Sequence, residues 1–152
     1  MQQDVDDWVR RSRQVFDQPR PSKFTTCDCL ECRDHEILLS ANDVDTIRQE
    51  EFGGSGLTAL RFSTVQGQLY YMPALVRTCL QTIGQGVFLE EFLRFLDPAS
   101  SRQKPLLDHC SLEQRKFVSE LLSCLIETRS GEIDQDGQSD EMLACFEKWA
   151  LD

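Results

Sequence analysis

Positive charge, histidine and long apolar runs are what this sequence has least of. Sixteen lysines and arginines stand against 26 aspartates and glutamates, a formal net charge of −10. Such a field repels polyanions, which disfavours a generic binder of the nucleic-acid backbone and favours basic partners. No apolar run approaches the ~18 residues of a bilayer-spanning helix. The opening MQQDVDDWVR carries acids where a secretory signal has a basic start and an apolar core. The expectation is a cytoplasmic protein with neither membrane nor nucleic-acid contacts.

Catalytic signatures are missing as well. The GGSG at 53–56 is followed by Leu57, where a nucleophile elbow carries glycine, and no Lys-Ser/Thr pair follows as in a phosphate-binding loop. It reads as a turn. His35 and His109 are the only two histidines, and no Asn or Asp is singled out to orient either one for Cys–His nucleophilic catalysis.

What is present suits a folded, helix-rich chain. Hydrophobic residues make up 40% of 152 positions, too many for global disorder and enough for one compact domain. Residues 1–21 read as an N-terminal helix and linker, 22–36 as a Cys/His cluster, and 40–152 as a helical body. Val5, Trp8, Val9, Ser12 and Phe16 recur at three-and-four spacing, with Arg10, Arg11 and Arg13 on the wet face. Ser40 or Asn42 is suited to cap a helix using Val44 and Ile47. Ser63 or Thr64 precedes a stripe of Leu69, Met72, Leu75, Val76, Cys79 and Leu80, in which Pro73 should impose a kink or a restart. The alternative for this stretch is a short β-hairpin, LRFSTV against QLYYM, turning at Gly67. Further on come a short helix over Phe88, Phe92, Phe95 and Leu96, a capping box at Ser111 and Gln114, a buried stripe from Phe117 to Leu125, and a last helix over 139–150 docked by Met142, Phe146 and Trp149. The fold class is mainly α.

Seven cysteines in a chain that starts without a secretory signature point to reduced thiols. Cys79, Cys124 and Cys145 lie within apolar helical patterns and read as small core residues. Three of the other four are clustered. TTCDCLECRDHE, residues 25–36, holds Cys27, Cys29, Cys32 and His35, whose C-x-x-C-x-x-H core supplies sulfur and nitrogen ligands of the kind zinc takes in a tetrahedron. Were 29–35 a regular helix, Cys29 and His35 would stand ~9 Å apart along its axis. A knuckle at Cys29–Cys32 leading into a helix near His35 is therefore expected, with the fourth ligand being Cys27, Cys110, His109 or water. GEIDQDGQSDEML, 131–143, mimics a calcium loop beginning at Glu132, but its twelfth position is Leu143 in place of a bidentate carboxylate, so it reads as an acidic lead-in to the last helix.

CLECRDH, DTIRQEEFGG, FSTVQGQLYYMPALVRTCL and CSLEQRKFVSELLSCLIETR together resemble an uncharacterised family of small bacterial proteins, a domain of unknown function. The resemblance runs from about Ser22 to Arg129; C-x-x-C-x-x-H and YYMPAL are its most specific pieces. It implies a compact bacterial protein with Cys29, Cys32 and His35 as the shared ligand positions, while Cys27 is additional and the turn at 53–56 is altered. The functional expectation is a non-enzymatic protein-interaction module with a structural zinc. The alternatives are a metal- or thiol-dependent enzyme using the cluster, and an acidic immunity-type inhibitor of a basic toxin.

Overall fold

A computed structural model describes residues 2–52, 57–100 and 105–150; the turn expected at 53–56 lies outside them. The described residues are mainly helical and contain no strand. They form two compact units, Met1–Thr78 and Cys79–Asp152, whose boundary falls inside one helix. No helix among them is long and apolar enough to cross a membrane.

In the first unit α1 spans Gln2–Val15, with Ser12 fully buried and its hydroxyl donating to the Val9 carbonyl at 2.6 Å. Arg10, Arg11 and Arg13 are exposed as the periodicity requires, and the Arg11 guanidinium sits 4.5 Å from the centre of the Trp8 ring. Next comes α2, Leu30–Ser40. The helix expected near His35 starts earlier, at Leu30 on the cysteine cluster itself, and none begins at Ser40 or Asn42. Two local effects account for the shift. The Cys29 sulfur accepts the Cys32 N–H and starts α2, whereas the Asp43 carboxylate accepts the N–H groups of Asp45 (2.8 Å) and Thr46 (3.0 Å), closing a turn where a helix was anticipated. Val44 and Ile47 are buried nonetheless, and the Arg77 guanidinium holds this turn by donating to both of their carbonyls, at 2.9 and 2.7 Å.

The stretch that allowed a hairpin is helical. A single turn, α3 (Thr58–Arg61), leads into α4 (Val65–Thr82), which Thr64 caps by accepting the Gly67 N–H at 3.2 Å. Pro73 is accommodated within α4, so the helix continues where a restart was an option. Tyr71 has no exposed surface and donates to the carbonyls of Leu39 (2.6 Å) and Asn42 (3.0 Å), fixing the end of α2. Arg20 covers that same end by donating to the carbonyls of Ser40 and Asn42, both at 2.7 Å.

The second unit is built from α5 (Phe88–Leu96), α6 (Leu106–His109), α7 (Leu112–Thr128), α8 (Ser130–Gln135) and α9 (Ser139–Trp149). Both bonds of the expected capping box are made: Ser111 Oγ accepts the Gln114 N–H at 3.1 Å, and Gln114 Oε1 accepts the Ser111 N–H at 2.9 Å. Phe117, Val118, Leu121, Leu122 and Leu125 line the buried side of α7, and α9 buries Met142, Cys145 and Trp149. Burial pushes the Cys79 and Cys145 thiols up to about 12, which suits inert packing; Cys124 is half-buried. The acidic segment is not a calcium loop. Glu132 is bidentate to Arg129, the Asp136 carboxylate accepts the Gly84 N–H at 2.7 Å, and 130–135 is helical.

Candidate metal centre

The cysteine segment owes its shape to residues on either side of it. Phe24 is buried, its carbonyl accepts the Thr64 N–H at 2.6 Å, and its ring packs 5.5 Å from that of Tyr71. Glu36, on α2, gathers the same stretch of backbone. Its carboxylate accepts the N–H of Phe24 (3.0 Å to each oxygen), the N–H of Thr25 (2.9 Å), the Thr25 hydroxyl (3.1 Å) and the Ser40 hydroxyl (2.8 Å). Partial burial works to raise the Glu36 pKa, but these hydrogen bonds outweigh it and hold the carboxyl below its ordinary value. Since the folded value is the depressed one, the resulting stabilisation is complete above the unfolded carboxyl range and is lost as pH falls through the native value.

Gly67 makes this attachment possible. A Cβ there would stand 2.9 Å from Phe24 Cδ1 and 3.3 Å from Ser63 Oγ. Alanine is the better helix former, yet Gly67→Ala is expected to destabilise by about 1–2 kcal/mol because the confined Phe24 ring must shift. Thermal unfolding of the variant checks this; a raised midpoint would contradict it.

Beyond the Glu36 staple the chain turns so that the sulfurs of Cys27, Cys29 and Cys32 lie within 4.8 Å of one another. Cys27 Sγ accepts the Cys29 N–H at 3.3 Å, and Cys29 Sγ accepts the Cys32 N–H at 3.4 Å. Cys27 and Cys29 are exposed, while Cys32 is buried. The Cys32 backbone N–H, followed by hydrogen bonds with the Cys27 and Cys32 side chains, draws the Cys29 thiol below its ordinary pKa. The reciprocal bond to Cys29, with burial, pushes Cys32 up to about 12. Cys29 thus becomes a thiolate before Cys32 does. Three sulfurs in this arrangement are close enough to bind a metal ion. Tetrahedral zinc with bonds of ~2.3 Å needs sulfur separations of ~3.8 Å, which small side-chain rotations would reach.

The remaining expected ligands are placed differently. His35 lies one turn beyond Cys32 on α2 and outside the sulfur trio; its ring stacks on Phe62, with centroids 5.7 Å apart and planes inclined at 7°. It is buried, and its Nε2 has no hydrogen-bond partner among the described residues, Glu31 Oε1 being 3.7 Å away. The expected knuckle is shifted accordingly: Cys29 is the residue that caps α2, so Cys32 and His35 both belong to the helix. His109 ends α6 in the second unit, and Cys110, next to it, is half-buried with its thiol pushed up to about 12 by burial. Spacing alone undervalued Cys27. Glu36 carries no signal in the sequence that separates it from a surface acid, and Gly67, which suggests a hairpin turn, instead lies within α4 and leaves room for the Phe24 ring.

No protein-family model, curated protein or solved structure matches the chain.

Proposed function

We propose that this chain is a non-enzymatic helical protein that carries a structural zinc on Cys27, Cys29 and Cys32 and works by binding another protein. The observation that carries the metal reading is the sulfur trio. Soft thiolates select zinc or copper(I) over hard cations, and zinc requires no redox partner. His35 is the candidate for the fourth position. It stands one turn from Cys32, side chains on a helix lean towards its N-terminus, and ligation would satisfy the buried Nε2. Three thiolates and a neutral imidazole around a divalent ion leave one negative charge in a chain already at −10, which again favours a basic partner whose association slows with added salt.

A cleft of about 620 Å³ in the first unit is lined by residues such as Arg10, Arg13, Asp17, Asp43 and Tyr70, none of them a cysteine or histidine. Elemental analysis of protein purified without added metal should return one zinc per chain. With cobalt substituted, thiolate-to-metal charge-transfer absorption should appear, fall sharply in Cys29→Ser, and shift without disappearing in His35→Ala. A metal content at background in the parent protein would overturn the reading.

A further inference from the structure

We propose that α2 pairs in parallel, about a two-fold axis, with α2 of a second copy of this chain. The side of α2 turned away from Cys32, His35 and Leu39 carries Leu30 and Ile37, which are 78% and 68% exposed. At 100° per residue these two positions fall within ~20° of each other, two turns apart. Arg33 and Asp34 lie ~50° to either side of that line. Both are exposed, and neither enters an ion pair among the described residues. Large apolar side chains on the outer face of a helix do nothing for the fold that carries them, and here they are bracketed by one charge of each sign.

That bracket selects both the partner and its direction. In a parallel pair the two-fold axis runs along the helices and places flanking positions of opposite sides together. Leu30 then meets Leu30, Ile37 meets Ile37, and Arg33 of each copy faces Asp34 of the other. Reversing one helix would set Arg33 against Arg33 and Asp34 against Asp34, so the charges favour the parallel pair over the antiparallel one. An unrelated partner would have no reason to match this pattern, whereas a second copy matches it by symmetry. With 11 residues, α2 is only ~16 Å long, and the contact falls below the ~1,600 Å² of a standard interface, so the dimer is reversible and weak. The pairing depends on α2 and not on the identity of any ion.

Sedimentation equilibrium of the full chain under reducing conditions, up to ~1 mM, tests this. A concentration-dependent dimer is expected. Arg33→Glu and Asp34→Arg should each weaken it at least ~10-fold, and the double variant carrying both should recover most of that loss, because the exchanged charges face each other again. Leu30→Ser with Ile37→Ser should abolish it. All four side chains are exposed, so circular dichroism should show every variant folded. A monomer throughout, a dimer indifferent to the two serines, or a double charge variant no tighter than the singles would overturn the proposal.

Discussion

Glu36→Ala is expected to release the cysteine segment from α2 and to lower the stability of the metal-free protein by about 2–4 kcal/mol. The carboxylate receives two backbone N–H groups and two hydroxyls. Removing it leaves the Phe24 and Thr25 amides without their acceptor, and Thr25 is buried. An unpaired buried donor costs more than the net value of the bond it lost. Glu36→Gln is the sharper variant, since the amide keeps the size but gives up the charge and replaces one acceptor oxygen by a donor. It should retain part of the stability and lose the acid dependence. In the parent, denaturant midpoints should fall as pH drops through the depressed Glu36 value, whereas in Glu36→Gln that contribution is absent. Zinc affinity should weaken at least ~10-fold in Glu36→Ala, because the three sulfurs would have to be ordered by the ion alone. Chemical denaturation and a competitive zinc titration measure the two effects. A parent-like midpoint in Glu36→Ala would remove Glu36 from the account of how the site is held.

In the second unit the largest loss is expected at Trp149. Its side chain has no exposed surface, and its indole N–H donates to the Leu96 carbonyl at 2.9 Å, joining the end of α9 to the end of α5. Trp149→Ala removes the largest fully buried side chain of that unit and should cost about 3–5 kcal/mol. Trp149→Phe separates packing from hydrogen bonding: it retains a ring but strands the carbonyl, for about 1–2 kcal/mol. Close by, Lys148 reaches Asp97 at 2.8 Å, and that hydrogen bond holds the Asp97 carboxyl below its ordinary value. As both side chains stay in contact with solvent, at 43% and 36% exposure, Lys148→Ala should cost little in the same unfolding experiment. Equal losses for Trp149→Ala and Lys148→Ala would show that α9 is not anchored by its indole.

The legible parts of the fold were those where one rule acts over many residues. The stripe from Phe117 to Leu125 and the box at Ser111 and Gln114 each follow from a spacing, and the structure has them where the spacing puts them. The α2 region failed because its pattern is mixed. Its core face uses Cys32, His35 and Leu39, its outer face shows Leu30 and Ile37, and its helix is started by a sulfur, so apolar periodicity points the wrong way. The site was half legible for a related reason. Cysteine spacing marks Cys27, Cys29 and Cys32 as neighbours along the chain, but whether a histidine one turn later joins them depends on a rotamer and on Phe62, which is 27 positions from His35 in sequence. Glu36 shows the limit most clearly. Its role is defined by backbone amides twelve and eleven residues upstream, and no periodicity encodes where a carboxylate will find them.

That all three sulfurs come from the short span 27–32 has a thermodynamic consequence. Ligands this close in sequence remain near one another in the denatured chain, so the denatured chain can chelate too, and only the difference between the two affinities adds to folding stability. Closing so short a loop also removes little chain entropy compared with a ligand set gathered from remote segments. A tightly held ion would therefore shift the melting temperature less than its affinity suggests, acting as a local clasp on the start of one helix while global cohesion is left to Tyr71, Trp149 and their surroundings.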